Sequence, residues 1–131
     1  MKHTLVVLMC AFIFSIGIAQ EPNGANLLAK LKWDKMEHDF GQIKQGVPVN
    51  FEFEFTNKSN QPIVISNVQA SCGCTTTNYP KEPIAPNKVA KITATYNAAN
   101  MGAFTKTLTV TTSADANPVV LKITGTVVNN K

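Results

Sequence analysis

Val47-Pro48-Val49-Asn50-Phe51-Glu52-Phe53-Glu54-Phe55-Thr56 is the stretch on which the fold turns. From Val49 onward apolar and polar residues alternate without a slip. Val49, Phe51, Phe53 and Phe55 fall on one side, and Asn50, Glu52, Glu54 and Thr56 on the other. A period of two belongs to an extended strand, whose successive side chains point to opposite faces. A helix would throw the same four apolar residues onto opposite sides. The segment therefore reads as a strand with one dry and one wet face.

The same period continues outward. Upstream, Glu37 to Ile43 predicts a strand broken at Gly41. Downstream, Asn57-Lys58-Ser59-Asn60-Gln61-Pro62 is turn chemistry, and Ile63, Ile65 and Val68 start a run that reaches Ala70. Between Cys72 and Lys88, Pro80, Pro83 and Pro86 exclude a central strand, because each removes a ladder donor; this part is an edge or a crossing between sheets. Ala90, Ile92, Ala94 and Tyr96 then alternate with Lys91, Thr93 and Thr95. After the loop Asn97 to Gly102, Phe104, Leu108 and Val110 are expected inward, with Thr105, Thr107, Thr109 and Thr111 outward. Ala114 to Asn117 predicts a turn, and Val119 to Val128 the last strand. Leu27 to Leu31 is open between a helical turn and a leading strand. The sum is an all-β protein of about seven antiparallel strands, an immunoglobulin-like β-sandwich. A closed barrel is the main alternative. The inter-sheet disulfide and buried tryptophan of antibody domains are missing, since Cys72 and Cys74 are two apart and Trp33 precedes the first clear strand.

With 131 residues, the chain suits one core. Its start is different in kind. Met1-Lys2-His3-Thr4 leads into an apolar run from Leu5 to Ile18 that closes on Gly17-Ile18-Ala19, the pattern of a secretory signal peptide cut before Gln20. The run falls short of the roughly 20 apolar residues of a spanning helix. A lipoprotein anchor is excluded because Cys10 follows Met9 inside the apolar core. The expected organisation is a signal peptide at 1–19, an N-terminal tether at 20–32 and the domain at 33–131. The product is an exported protein, periplasmic or secreted.

Removal of the signal leaves eleven lysines, no arginine and eight acidic residues, a net charge of +3. The lysines are scattered, and arginine is the preferred reader of bases and phosphates, so nucleic acid is not an expected partner. No second apolar stretch has membrane-spanning length, so the mature chain is expected to be soluble.

The one compact chemical constellation is Ser71-Cys72-Gly73-Cys74-Thr75. Residues two apart on an extended chain face the same way, and Gly73 permits a bend that brings the sulfurs together. Four readings compete. The cysteines are small buried hydrophobes, a disulfide formed after export, a soft-metal pair for copper or zinc, or a catalytic thiol pair. Metal binding would need further ligands, for which His38, Met36 and Met101 are the candidates. The catalytic reading lacks the helix N-terminus that usually lowers such a thiol's pKa. His38 is the sole histidine of the mature chain, and Asp39, adjacent on a strand, faces the other way and cannot orient it as in a triad. Glu52 and Glu54 share the wet face of their strand and read as surface charge. No catalytic residue and no cofactor are assigned.

Several of these pieces resemble one family: His38-Asp39-Phe40-Gly41-Gln42-Ile43, Gly46, Phe53-Glu54-Phe55-Thr56-Asn57, Ser71-Cys72-Gly73-Cys74-Thr75, and Ile84-Ala85-Pro86-Asn87. In this order they resemble the bacterial domain of unknown function 1573 (DUF1573) family, exported domains related to Hydin-type and major-sperm-protein-like immunoglobulin folds. The similarity runs from about Trp33 to Val128. Asn87 departs from the glycine many such sequences carry after the proline, but asparagine also tolerates the left-handed conformation. The resemblance implies the fold and export, and transfers no catalytic residue.

The expected function is a non-catalytic exported module whose partner is another envelope or extracellular protein, held at a sheet edge or an end loop. A metal-handling or thiol-redox protein built on Cys72 and Cys74 is the alternative. Carbohydrate binding is a weaker one, resting on Trp33, Tyr79 and Tyr96 as the aromatics with polar handles.

Overall fold

The alternation that begins at Val49 is a strand in the computed structural model of the protein, which describes residues 30–129. In chain order these residues form β1 (Leu31–Trp33), β2 (Glu37–Lys44), β3 (Val49–Asn57), β4 (Ile65–Ala70), β5 (Thr75–Asn78), β6 (Val89–Tyr96), β7 (Gly102–Thr112) and β8 (Asp115–Val128). They make two four-stranded sheets, ordered β1-β3-β6-β5 and β2-β8-β7-β4. The signal peptide expected at 1–19 and the tether up to residue 29 lie outside the described residues.

The two sheets meet over one core. Phe53, Phe55, Ile92, Ala94, Leu108, Val110, Leu121 and Ile123 are all buried between them. In the β3–β6 pair, Phe55 is opposite Ala90 and Phe51 opposite Ala94, so these two rings fill space that the alanines leave, while Phe53 is opposite Ile92. Each fully buried aromatic or branched side chain contributes about 1.5–3 kcal/mol relative to exposure. On the wet face of β3, Lys91 Nζ lies 3.5 Å from a carboxylate oxygen of Glu52 and 3.5 Å from one of Glu54. These two acids raise the pKa of Lys91.

Three features differ from the sequence expectation, each for a physical reason. There are eight strands, because the last two residues assigned to the tether, Leu31 and Lys32, join Trp33 in β1 and pair antiparallel with Phe55–Asn57. Three residues are too few to display a period, and what holds them is tertiary: Trp33 packs on Phe55 with ring centroids 4.9 Å apart. The strands are not all antiparallel, since β2 runs parallel to β8. The chain crosses from one sheet to the other between Trp33 and Glu37, and so continues in the same direction beside a new neighbour. The register of this pair shifts between Asp39 and Gln42, at Gly41, whose φ is +67° and whose N–H donates to Asp39 Oδ1 at 2.8 Å. Finally, β8 starts at Asp115 rather than Val119, after a two-residue turn at Ser113 and Ala114. Pro118 is accommodated there because it falls in the register shift against β7 and before the first β2 partner at Lys122.

The proline-rich segment is both an edge and a crossing. Thr75–Asn78 is the edge strand β5, and the chain beyond it returns along Ile63, with which Ile84 exchanges two backbone hydrogen bonds of 2.9 and 2.8 Å. Asn57 fastens this crossing. Its side chain is fully buried, its Nδ2 donates to the carbonyls of Gln61 and Ile84 at 2.8 Å each, and its Oδ1 accepts from Ser59 N and Ser59 Oγ. Its carbonyl also accepts from Asn87 N at 2.7 Å, where φ is +64° as the turn requires.

Candidate functional site

The crossing of the leading strand leaves an opening in the first sheet. β1 covers β3 only from Phe55 to Asn57, and Asp34 N donating to Glu54 O at 3.0 Å is the last bond on that side. Alternate residues of an antiparallel strand direct both backbone groups the same way, so those of Glu52 and Asn50 face the same side as those of Glu54. Among the described residues no strand lies beyond them. β3 thus has a covered end and an open end on one edge.

The open end has an aromatic floor. His38 stacks on Phe51 with ring centroids 3.9 Å apart and planes 7° from parallel. Phe40 meets His38 edge-on at 4.6 Å, and Phe53 meets Phe51 edge-on at 4.9 Å. His38, Phe40, Phe51 and Val49 are all half-buried. The alternation puts Phe51 on the dry face of its strand but carries no signal for its contact with His38, because the two lie on strands of different sheets. The pKa of His38 is lowered, chiefly by loss of hydration and next by the charge of Lys35, while Asp39 opposes the shift. Its stack with Phe51 and the opposing side of Asp39 give it the place of a packing residue.

Cys72 and Cys74 form a disulfide, with Cα atoms 5.3 Å apart, in the turn that carries the chain from β4 to β5. Both are half-exposed, and Cys74 packs against the margin of the core. Metal or dithiol chemistry at this pair would begin with its reduction. His38 sits on β2 and the cysteines follow β4, and these two strands are the opposite edges of the second sheet, three inter-strand spacings or roughly 14 Å apart. The structure therefore does not bring His38 to the sulfurs, nor does it bring Met36, which precedes β2. Met101 is exposed in the loop before β7. Among the described residues no three His, Cys, Asp or Glu side chains converge as a metal site.

The three aromatics with polar handles do not make a platform. Tyr96 is buried and stacked on Phe104 at 4.0 Å, Trp33 packs on Phe55, and Tyr79 lies under Lys81 Nζ, 3.2 Å from the ring centroid.

The disulfide turn belongs to a cross-tied rim at one end of the sandwich. Asn97 N donates to Cys74 O at 3.0 Å, Gly46 N to Ala98 O at 2.9 Å, and Gln45 Nε2 to Ala99 O at 3.0 Å. Ala98 is buried and left-handed at φ +54°, a conformation that costs a non-glycine residue energy and persists where its surroundings impose it.

Comparison with known proteins agrees with the fold. The sequence profile of a family described as "Protein of unknown function (DUF1573)" matches residues 31–127. No curated protein matches. Among solved structures, a protein of unknown function from Porphyromonas gingivalis W83 superposes with a TM-score of 0.65 at 15% identity, over 80% of this chain and 51% of that one. The PapD-like domain 7 of human CEP192 gives 0.68 at 8% identity, covering 99% of this chain and 100% of that domain. SSP-19, an MSP-domain protein like family member of Caenorhabditis elegans, gives 0.51 at 15% identity over 66% of this chain and 92% of that one. The chain spans about half the length of the Porphyromonas protein. At these identities the likeness is one of fold.

Proposed function

The chain belongs to the DUF1573 family, and from that premise we propose that it is an exported, non-catalytic module of the cell envelope that binds an extended segment of another protein along the open edge of β3. The observation that carries this reading is the uncovered edge itself. The backbone groups of Asn50 and Glu52 face it with no strand beyond among the described residues, and the stack of Phe51, His38 and Phe40 lies beside it. Strand addition needs these two components: unpaired main-chain groups for affinity, and a place for alternate side chains of the incoming segment. Residues 1–19, with their apolar run and small residues before Gln20, support export to the periplasm or beyond.

The test is capture from the native envelope with the chain from Gln20 as bait, in wild-type form and as Asn50→Pro. The N–H of Asn50 faces the open edge, so proline there removes the donor offered to a guest strand and no bond to β6. A partner that is held by the wild type and lost by the variant, at unchanged melting temperature, supports the reading. A partner held equally by both moves the interaction off this edge.

A further inference from the structure

We propose that the Cys72–Cys74 disulfide is a thiol-exchange site that accepts two electrons from a dithiol, with Cys74 as the sulfur attacked and Cys72 as the sulfur released. This is independent of strand addition at β3, which uses the opposite side of the sheets.

The placement of the bridge argues against a purely structural role. It spans a single intervening residue, and closing so short a loop restricts the unfolded chain least. The backbone around it is held by other means. Ser71 N donates to Thr107 O at 2.9 Å and Thr107 N to Ser71 Oγ at 3.1 Å on one side; on the other, Asn97 N donates to Cys74 O at 3.0 Å and Thr75 pairs with Tyr96. Cleavage of the bond therefore leaves both sulfurs held near each other, as reversible exchange requires.

The surroundings also favour attack. Both cysteines are half-exposed, and the space beside Gly73 is open, with no atom within 4 Å of where a Cβ would stand. Thr75 Oγ1 is 3.8 Å from Cys72 Sγ. In the oxidised protein this is a weak contact. Once Cys72 becomes a thiolate, the hydroxyl donates to a full negative charge, which lowers the thiol pKa and makes Cys72 the better leaving group.

One thiolate of the dithiol attacks Cys74 Sγ, forming a mixed disulfide and releasing Cys72 as a thiolate. The second thiol of the reductant, deprotonated, attacks its partner sulfur in that mixed disulfide and releases Cys74. The dithiol leaves as a disulfide, its two protons pass to the two cysteines through solvent, and two electrons now reside on Cys72 and Cys74. Thr75 is a positioning residue in this scheme and reacts with nothing.

The experiment uses the oxidised chain from Gln20, without denaturant. Dithiothreitol serves as the dithiol, and glutathione, quenched by acid, as the probe that traps the mixed disulfide. The expected result is complete reduction by a small excess of dithiothreitol with an unchanged far-ultraviolet spectrum, and glutathione mapped by mass spectrometry to Cys74. Thr75→Val should slow reduction several-fold and raise the Cys72 pKa read from the pH dependence of alkylation, at an unaltered melting temperature. Reduction that requires denaturant, or that unfolds the domain, overturns the proposal. Glutathione on Cys72, or a Thr75→Val protein with wild-type rate and alkylation profile, overturns the assignment of the two sulfurs.

Discussion

The imidazole of His38 lies flat on the ring of Phe51, 3.9 Å between centroids, and so bridges the two sheets at the open end of β3. Removing hydration from one face disfavours the charged form, and Lys35 adds to the effect. As pH falls, the unfolded chain therefore takes up this proton first. The contribution of His38 is whole above the ordinary pKa of 6.5 and is lost as pH falls from there through the folded value. Melting temperatures of the wild type and His38→Phe, measured between about pH 7.5 and 5, should diverge, with the wild type falling further. Parallel curves would show that the stack does not exclude the charge.

Asn57 is the second point of test. Its amide satisfies two carbonyls and receives two donors from Ser59 in a fully buried setting. Asn57→Ala removes all four bonds and leaves Ser59 N without its acceptor, while Ile84 O keeps Ile63 N and Gln61 O keeps Ser59 Oγ; each bond lost is worth about 0.5–1.5 kcal/mol. Urea unfolding should show a loss of about 3 kcal/mol, reduced where water enters the space. A loss under about 1 kcal/mol would mean that the crossing of Ile84 past Ile63 does not depend on this amide.

Gly125 lies under the ring of Phe104, its partner across β7 and β8. A Cβ at this position would stand 2.7 Å from Phe104 Cζ and 3.0 Å from Gly41 O. Gly125→Ala should destabilise by about 1–3 kcal/mol, as overpacking does. Combining it with Phe104→Leu should cost less than the two changes added, because the smaller side chain withdraws from the clash. Strict additivity in a double-mutant cycle would place the strain at Gly41 instead.

Reduction of the disulfide should have a small thermodynamic effect. Loop closure over three residues is worth about 1.6 kcal/mol in the chain-entropy treatment. The unfolding free energy of Cys72→Ser/Cys74→Ser, read from urea denaturation, should fall below that of the oxidised wild type by no more than this. A much larger loss would identify the bridge as a clamp between β4 and β5.

Much of the architecture could be read locally. Phe53 and Phe55 against Glu52 and Glu54, Ala90 to Tyr96 against Lys91 and Thr93, and Leu108 and Val110 between threonines all sit on the faces that their alternation indicated. The motif around Cys72 and Cys74 was visible as a pair, and the left-handed turn at Asn87 as a tolerance of asparagine. β1 is not readable, being three residues long, and the turn expected at Ala114 to Asn117 falls at Ser113 and Ala114, because Asp115 to Pro118 is strand with the composition of a loop. Asn57 continues the dry-face alternation of β3 but heads a run of turn residues, and its partners Gln61 and Ile84 lie outside the strand, so its role is not legible locally.

From the residue order alone, the strand period, the two-faced character of each strand and the kinship to DUF1573 follow, since side chains two apart share a face whatever the rest of the chain does. The three-dimensional packing alone decided that the leading strand changes sheets after Trp33, that β2 lies parallel to β8, that His38 meets Phe51, and that Asn50 and Glu52 face an open edge. Those outcomes depend on which distant segments become neighbours, and pairing between sheets is set by how the whole core fills, a quantity no local window contains.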